Sequence, residues 1–69
     1  MERTAVKSSN IVSIGYDAAS SVLEVEFKGR EVYQYSGVPA HHYEGIMKAE
    51  SHGKYLNAFI TGKYSYREV

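Results

Sequence analysis

Leu23, Val25 and Phe27 alternate with Glu24, Glu26 and Lys28 in "SVLEVEFKG". A period of two puts successive side chains on opposite faces of a strand, so this segment has one buried face and one wet face. That single element fixes much of what the chain can become. A strand with a wet face belongs to a sheet covered on one side only, and it needs neighbours joined by short turns. "NIVSIGYD", with Ile11, Val12, Ile14 and Tyr16, reads as the strand before it, closed by the polar turn Asp17-Ala18-Ala19-Ser20. "EVYQYSG" reads as the strand after it, across Gly29-Arg30. Three strands joined this way form an antiparallel meander, because parallel neighbours would need a long crossover.

The period changes after Val38. Pro39 suits the start of a helix, where its missing N–H leaves no bond unmade, and Tyr43, Ile46, Met47 and Glu50 follow at helical spacing over residues 39–50. Ser51 can cap a second helix, whose face would carry His52, Tyr55, Leu56, Phe59 and Ile60 before Gly62 ends it. "KYSYREV" reads as an extended tail with a second Tyr-x-Tyr, at Tyr64 and Tyr66. The expected fold is therefore α+β: a three-stranded antiparallel meander followed by two short helices packed on one face. Residues 1–9 read as a flexible N-terminal tail and 10–69 as a single domain.

Sixty-nine residues can hide only about 60% of the surface the unfolded chain exposes. One small core is all that fits, and it supplies roughly 3–5 kcal/mol without a staple. With no cysteine, disulfides are excluded, thiolate chemistry and the commonest zinc sites go with them, and the reading is cytoplasmic. Neither a signal peptide nor a membrane span is legible in so polar a chain, so no membrane partner is expected. Eight basic and eight acidic residues cancel, a poor start for a duplex-DNA binder. The distribution is less even, for no Asp or Glu stands between Ser51 and Arg67 while Lys54, Lys63 and Arg67 do.

Turn length decides where Tyr33 and Tyr35 point. Gly29-Arg30 as a two-residue type II′ turn pairs Lys28 with Glu31 and places both tyrosines on the glutamate face. A three-residue turn, Gly29 to Glu31, puts Phe27 opposite Tyr33 and Val25 opposite Tyr35, on the core side. Turn chemistry favours the first, since the usual three-residue loop wants glycine at its third position. Hydrophobic matching favours the second: burial is worth roughly 2–3 kcal/mol per tyrosine, against about 1–3 kcal/mol for a hydroxyl left without a partner. The reading leans to the two-residue turn.

The ordered set "IGYD…VLEVEF…VYQYSGVP…YEGIMKAESHGKYLNAFITGKY" resembles the KTSC domain family, named for its occurrence at the C-terminus of some lysyl-tRNA synthetases and otherwise found as small stand-alone proteins of bacteria and phages. The resemblance runs from about Ile11 to Tyr66 and rests on Tyr33-Gln34-Tyr35, Val38-Pro39 and on Ser51, Gly53, Tyr55 and Asn57. It implies a domain of unknown biochemical role for which RNA binding has been suggested, and it carries no catalytic residue with it.

Chemistry is weighed on that basis. Bases stack on aromatic faces beside cations that follow the backbone. Tyr33, Tyr35 and Tyr64 with Arg30, Lys54, Lys63 and Arg67, and Asn57 as a polar reader, form the candidate ligand surface. Tyr16, Tyr43 and Tyr55 read as core, and for Asn57 the preferred reading is a structural tie between the second helix and a strand end or loop. His41 and His42 point about 100° apart on a helix, so they do not chelate one metal ion. No spacing selects a nucleophile with its base, so no enzyme and no cofactor are expected. The leading expectation is a weak binder of RNA or single-stranded nucleic acid. Its rivals are a protein-interaction or homodimer module and a small-nucleotide binder.

Overall fold

The computed structural model describes residues 1–69 as a five-stranded antiparallel sheet with two helices on one face. The strands are β1 (Arg3–Ala5), β2 (Ile11–Asp17), β3 (Val22–Phe27), β4 (Val32–Ser36) and β5 (Tyr66–Glu68), and they lie side by side in that order. Helices α1 (Ala40–Lys48) and α2 (His52–Phe59) form the excursion between β4 and β5. Neither helix is long and apolar enough to cross a membrane.

The expected meander is present as β2–β3–β4, and the strand count needs correcting from three to five. The two additional strands come from segments that carry no period-2 apolar pattern. Three residues, all exposed, make each of β1 and β5, and it is pairing with a formed neighbour that orders them. In β1, Thr4 pairs with Ile14 and Arg3 with Gly15. In β5, Arg67 pairs with Gln34 and Tyr66 with Tyr35.

Strand β2 breaks its own alternation. Ile11 and Ile14 are three apart, yet both are fully buried. A bulge between Ile11 and Ser13 reconciles them by turning Val12 outward, since one extra residue on a strand resets which face follows.

The β3–β4 hairpin is neither of the two turns considered from the sequence. Its loop is Lys28-Gly29-Arg30: the Phe27 N–H donates to the Glu31 carbonyl (2.8 Å) and the Arg30 N–H to the Phe27 carbonyl (2.9 Å). Val25 therefore pairs with Tyr33 and Leu23 with Tyr35. The two-residue turn is overturned, and both tyrosines share the face of Leu23 and Val25. Arg30 takes the third loop position at φ 72°, a left-handed conformation that costs a residue with a Cβ about 1–2 kcal/mol. The register that this turn permits returns more, because burying a large side chain is worth about 1.5–3 kcal/mol.

Above that face sits a core of nine buried residues, among them Ile14, Leu23, Val25 and Tyr35 from the sheet and Ile46, Leu56 and Ile60 from the helical segment. The Ser51 hydroxyl accepts from the Lys54 N–H (3.2 Å) and caps α2, while Pro39 stands at the N-cap of α1, one position before its first helical residue. The helices meet closely because Gly45 has no Cβ: one placed there would lie 2.7 Å from Tyr55 Cζ.

Candidate nucleic-acid interface

The two sheet faces differ in what they can offer a ligand. On the face away from the helices a polar network spans all five strands. Arg3 Nε donates to Ser13 Oγ (2.9 Å), Ser13 Oγ to Glu26 Oε1 (2.9 Å), Gln34 Nε2 to Glu24 Oε1 (2.8 Å) and Arg67 Nη2 to Gln34 Oε1 (3.2 Å). The Arg3 guanidinium is also paired with both Glu24 and Glu26. Burial alone would push the Glu24 carboxyl up, but hydrogen bonds from Gln34 and Arg3 and the Arg3 charge hold it below its usual range. These groups satisfy one another, so this face offers a phosphate few free donors.

The helix-side face carries the rings. Tyr35 is only 4% exposed and belongs to the core; burial raises its pKa, with a hydrogen bond to Thr61 acting in the other direction. Tyr33 is half-buried beside Phe27 (centroids 5.5 Å) and Tyr66 (5.1 Å). Its pKa is raised by burial first, then by the negative charge of Glu68 and by Tyr66. Tyr66 is 60% exposed and covers both members of the motif. A second group lies between the start of α1 and the end of α2. His42 Nδ1 meets Tyr55 Oη at 2.9 Å, and its ring lies 5.9 Å from Phe59 and 6.0 Å from Tyr64.

Between the two groups runs the turn Gly62–Tyr66, which lines the one open concavity of the molecule. Gly62 starts it at φ 80°, a conformation suited to glycine, and the Ser36 N–H donating to the Ser65 carbonyl (2.8 Å) anchors its far end. Lys63 stands in this turn, next to Tyr64 in the chain, and is exposed.

The eight residues singled out from the sequence are thus distributed rather than convergent. Lys63 and Tyr64 lie together at the concavity. Tyr33 is reached from it through Tyr66, and Tyr35 lies underneath as core. Arg67 is on the opposite face with Gln34. Arg30 occupies the β3–β4 turn, and Lys54 the first turn of α2, exposed. Asn57 is exposed and accepts from Thr61 Oγ1 (3.3 Å), a bond that ties α2 to the turn following it. Tyr16, Tyr43 and Tyr55 pack against the core as expected; Tyr16 stacks on Tyr43 (5.3 Å) and donates to the Val38 carbonyl (2.6 Å).

Sequence reasoning missed three rings of this surface. His41 and His42 read only as helix-surface residues, and Phe59 as one more member of the buried stripe, although it is 47% exposed. The available signal was the three-residue link between α1 and α2, since so short a link folds two helices back on each other and brings the start of one beside the end of the other.

Comparison with known proteins places this architecture. The profile of the KTSC domain matches residues 7–64. The crystal structure of a KTSC domain protein from Yersinia pestis superimposes with a TM-score of 0.96 at 40% identity, covering 99% of this chain and 96% of that one. An uncharacterized protein of Stutzerimonas stutzeri is 39% identical over 100% of this chain and 99% of its own length. A lysine–tRNA ligase of Nostoc punctiforme is 32% identical over 91% of this chain, which corresponds to 11% of that enzyme.

Proposed function

We propose, from the premise that this chain belongs to the KTSC domain family, that it is a small non-enzymatic module that binds RNA or single-stranded nucleic acid weakly through its helix-side surface. The observation that carries this reading is the Gly62–Tyr66 concavity. It has Lys63 with Tyr64 and Tyr66, inside a stretch from Ser51 to Arg67 that contains no carboxylate. Aromatic faces beside unpaired cations suit unstacked bases on a phosphate chain. The similarity to a segment of lysine–tRNA ligases makes RNA the nucleic acid to try first. A hydrolytic alternative has little support, because it needs a nucleophile beside a base, and the concavity is lined by Gly62, Lys63, Tyr64, Ser65 and Tyr66, with neither a histidine nor a carboxylate among them.

Fluorescence anisotropy of a labelled single-stranded RNA at two salt concentrations tests the reading. With two or three phosphates neutralised, affinity should fall roughly tenfold between about 50 and 200 mM salt. Absence of binding at the lower salt sinks it. Competition by a mononucleotide as strong as by the oligomer would instead favour the small-nucleotide reading.

A second reading rests on the sheet edges. Val69 N–H donates to the Val32 carbonyl and Ser36 N–H to the Ser65 carbonyl, so alternation leaves the backbone groups of Tyr66 and Glu68 facing outward, ready to pair with another strand. Self-association through that edge would appear as a concentration-dependent sedimentation coefficient.

A further inference from the structure

We infer that the shelf of rings formed by Phe59, His42 and Tyr64 is the stacking seat for one unpaired base of the bound RNA, with Lys63 meeting its phosphate. The inference rests on the nucleic-acid reading above and goes beyond it, because it moves the base-stacking role from the tyrosine motif to Phe59.

Three observations support it. Phe59 is 47% exposed, although it is an apolar ring at the end of a helix whose Leu56 and Ile60 neighbours are buried to 3% and 0%. Its ring is flanked by others rather than isolated. Tyr55 lies 4.6 Å away at 42° and His42 5.9 Å away at 32°, so two neighbours pack beside the ring while its outer surface stays open. Preorganised rings cost a ligand little ordering entropy. The surroundings also suit an anionic ligand with flat bases. Lys63 stands next to Tyr64 in the chain, and residues 51 to 67 contain no carboxylate.

His42 adds to the fit. Burial first, and the neighbouring His41 second, lower its pKa, so near neutral pH its imidazole is an uncharged face that a base can approach without stripping water from an ion. The groups that face it are His41 on α1, Tyr55 on α2 and Tyr64 on the following turn. Glu44, one helical turn beyond His41, is the acidic residue nearest the shelf along α1, and it limits how far a phosphate chain can extend in that direction.

Phe59→Ser and Phe59→Tyr separate the outcomes, with RNA anisotropy as the readout and a far-UV circular dichroism spectrum to show that each variant is folded. Because Phe59 lies outside the nine-residue core, both should fold. Phe59→Ser should weaken RNA binding about 5- to 150-fold, the effect of losing one stacked base, while Phe59→Tyr stays near the wild type. On adding RNA, the ring protons of Phe59 and His42 should move upfield in the NMR spectrum. Wild-type affinity in Phe59→Ser, with Lys63→Ala still weakened, overturns the seat and leaves the nucleic-acid reading standing. Wild-type protein that binds no RNA removes both. A change of sedimentation in Phe59→Ser without a change in RNA affinity assigns the shelf to a second copy of the chain and overturns the inference.

Discussion

Arg30 shows how one residue's backbone can set the position of many others. Its φ of 72° completes a three-residue turn whose third position favours glycine. Arg30→Gly should therefore stabilise the protein by about 1 kcal/mol, read as a rise of roughly 4–8 °C in melting temperature for a domain this size. Tyr35 sits downstream of that turn. Tyr35→Phe keeps the buried ring and removes only its hydroxyl, so it should cost no more than about 1 kcal/mol. Tyr35→Ala removes a core ring and should cost about 3–5 kcal/mol, comparable with everything a core this small supplies, so urea denaturation should find it largely unfolded. Glu24 contributes a dependence on pH. Because its folded pKa lies below the ordinary 4.5, its stabilisation is complete above that value and is lost as pH falls through the folded one. Glu24→Gln should flatten the acid limb of a stability-versus-pH curve.

Elements depend on what glycine leaves open. At Gly45 a methyl group would meet the Tyr55 ring, with Cζ at 2.7 Å and Cε2 at 2.9 Å. Alanine gains about 1 kcal/mol in helix propensity, but overpacking typically costs about 1–3 kcal/mol. Gly45→Ala should thus lower the melting temperature and weaken the His42–Tyr55 contact seen by NOE. At Gly15 a Cβ would collide with the Glu2 carbonyl and sit 3.0 Å from the Arg3 side chain. Gly15→Ala should release β1, which faster amide exchange at Val6 would report, since the Val6 N–H donates to the Val12 carbonyl across that pair.

The same elements show which parts of the structure the chain reveals by inspection. Strand β3 was legible because alternation over Leu23–Lys28 is a local signal, and both helices were legible from spacing and from the Ser51 cap. Strands β1 and β5 were not, because three exposed residues carry no pattern and owe their order to a partner. The hairpin register was hidden for another reason: Arg30 accepts strain that no propensity favours, and the gain lies in distant packing of Tyr35. Of the candidate surface, Lys63 and Tyr64 were found from local charge and composition. Phe59 escaped because helical spacing places it in the same stripe as Leu56 and Ile60, and only the position of α1 over the end of α2 shows that its ring faces out.

On the scale of the molecule, a chain of zero net charge divides its surface into two unlike sides. One is a closed polar network from Arg3 to Arg67, the other a helical layer with rings and Lys63 around a concavity. The strand order follows the chain order, β1 to β5, with a single long excursion before the last strand. That order implies a direction of assembly. As the chain leaves a ribosome, β2, β3 and β4 each find the preceding strand already made, and such local pairings form fast. β5 must wait for both helices. Until it docks, Tyr35 lacks its Tyr66 cover and the Gly62–Tyr66 turn has nothing to bend against, so the segment that carries Lys63 and Tyr64 is the last part of the molecule to take its place.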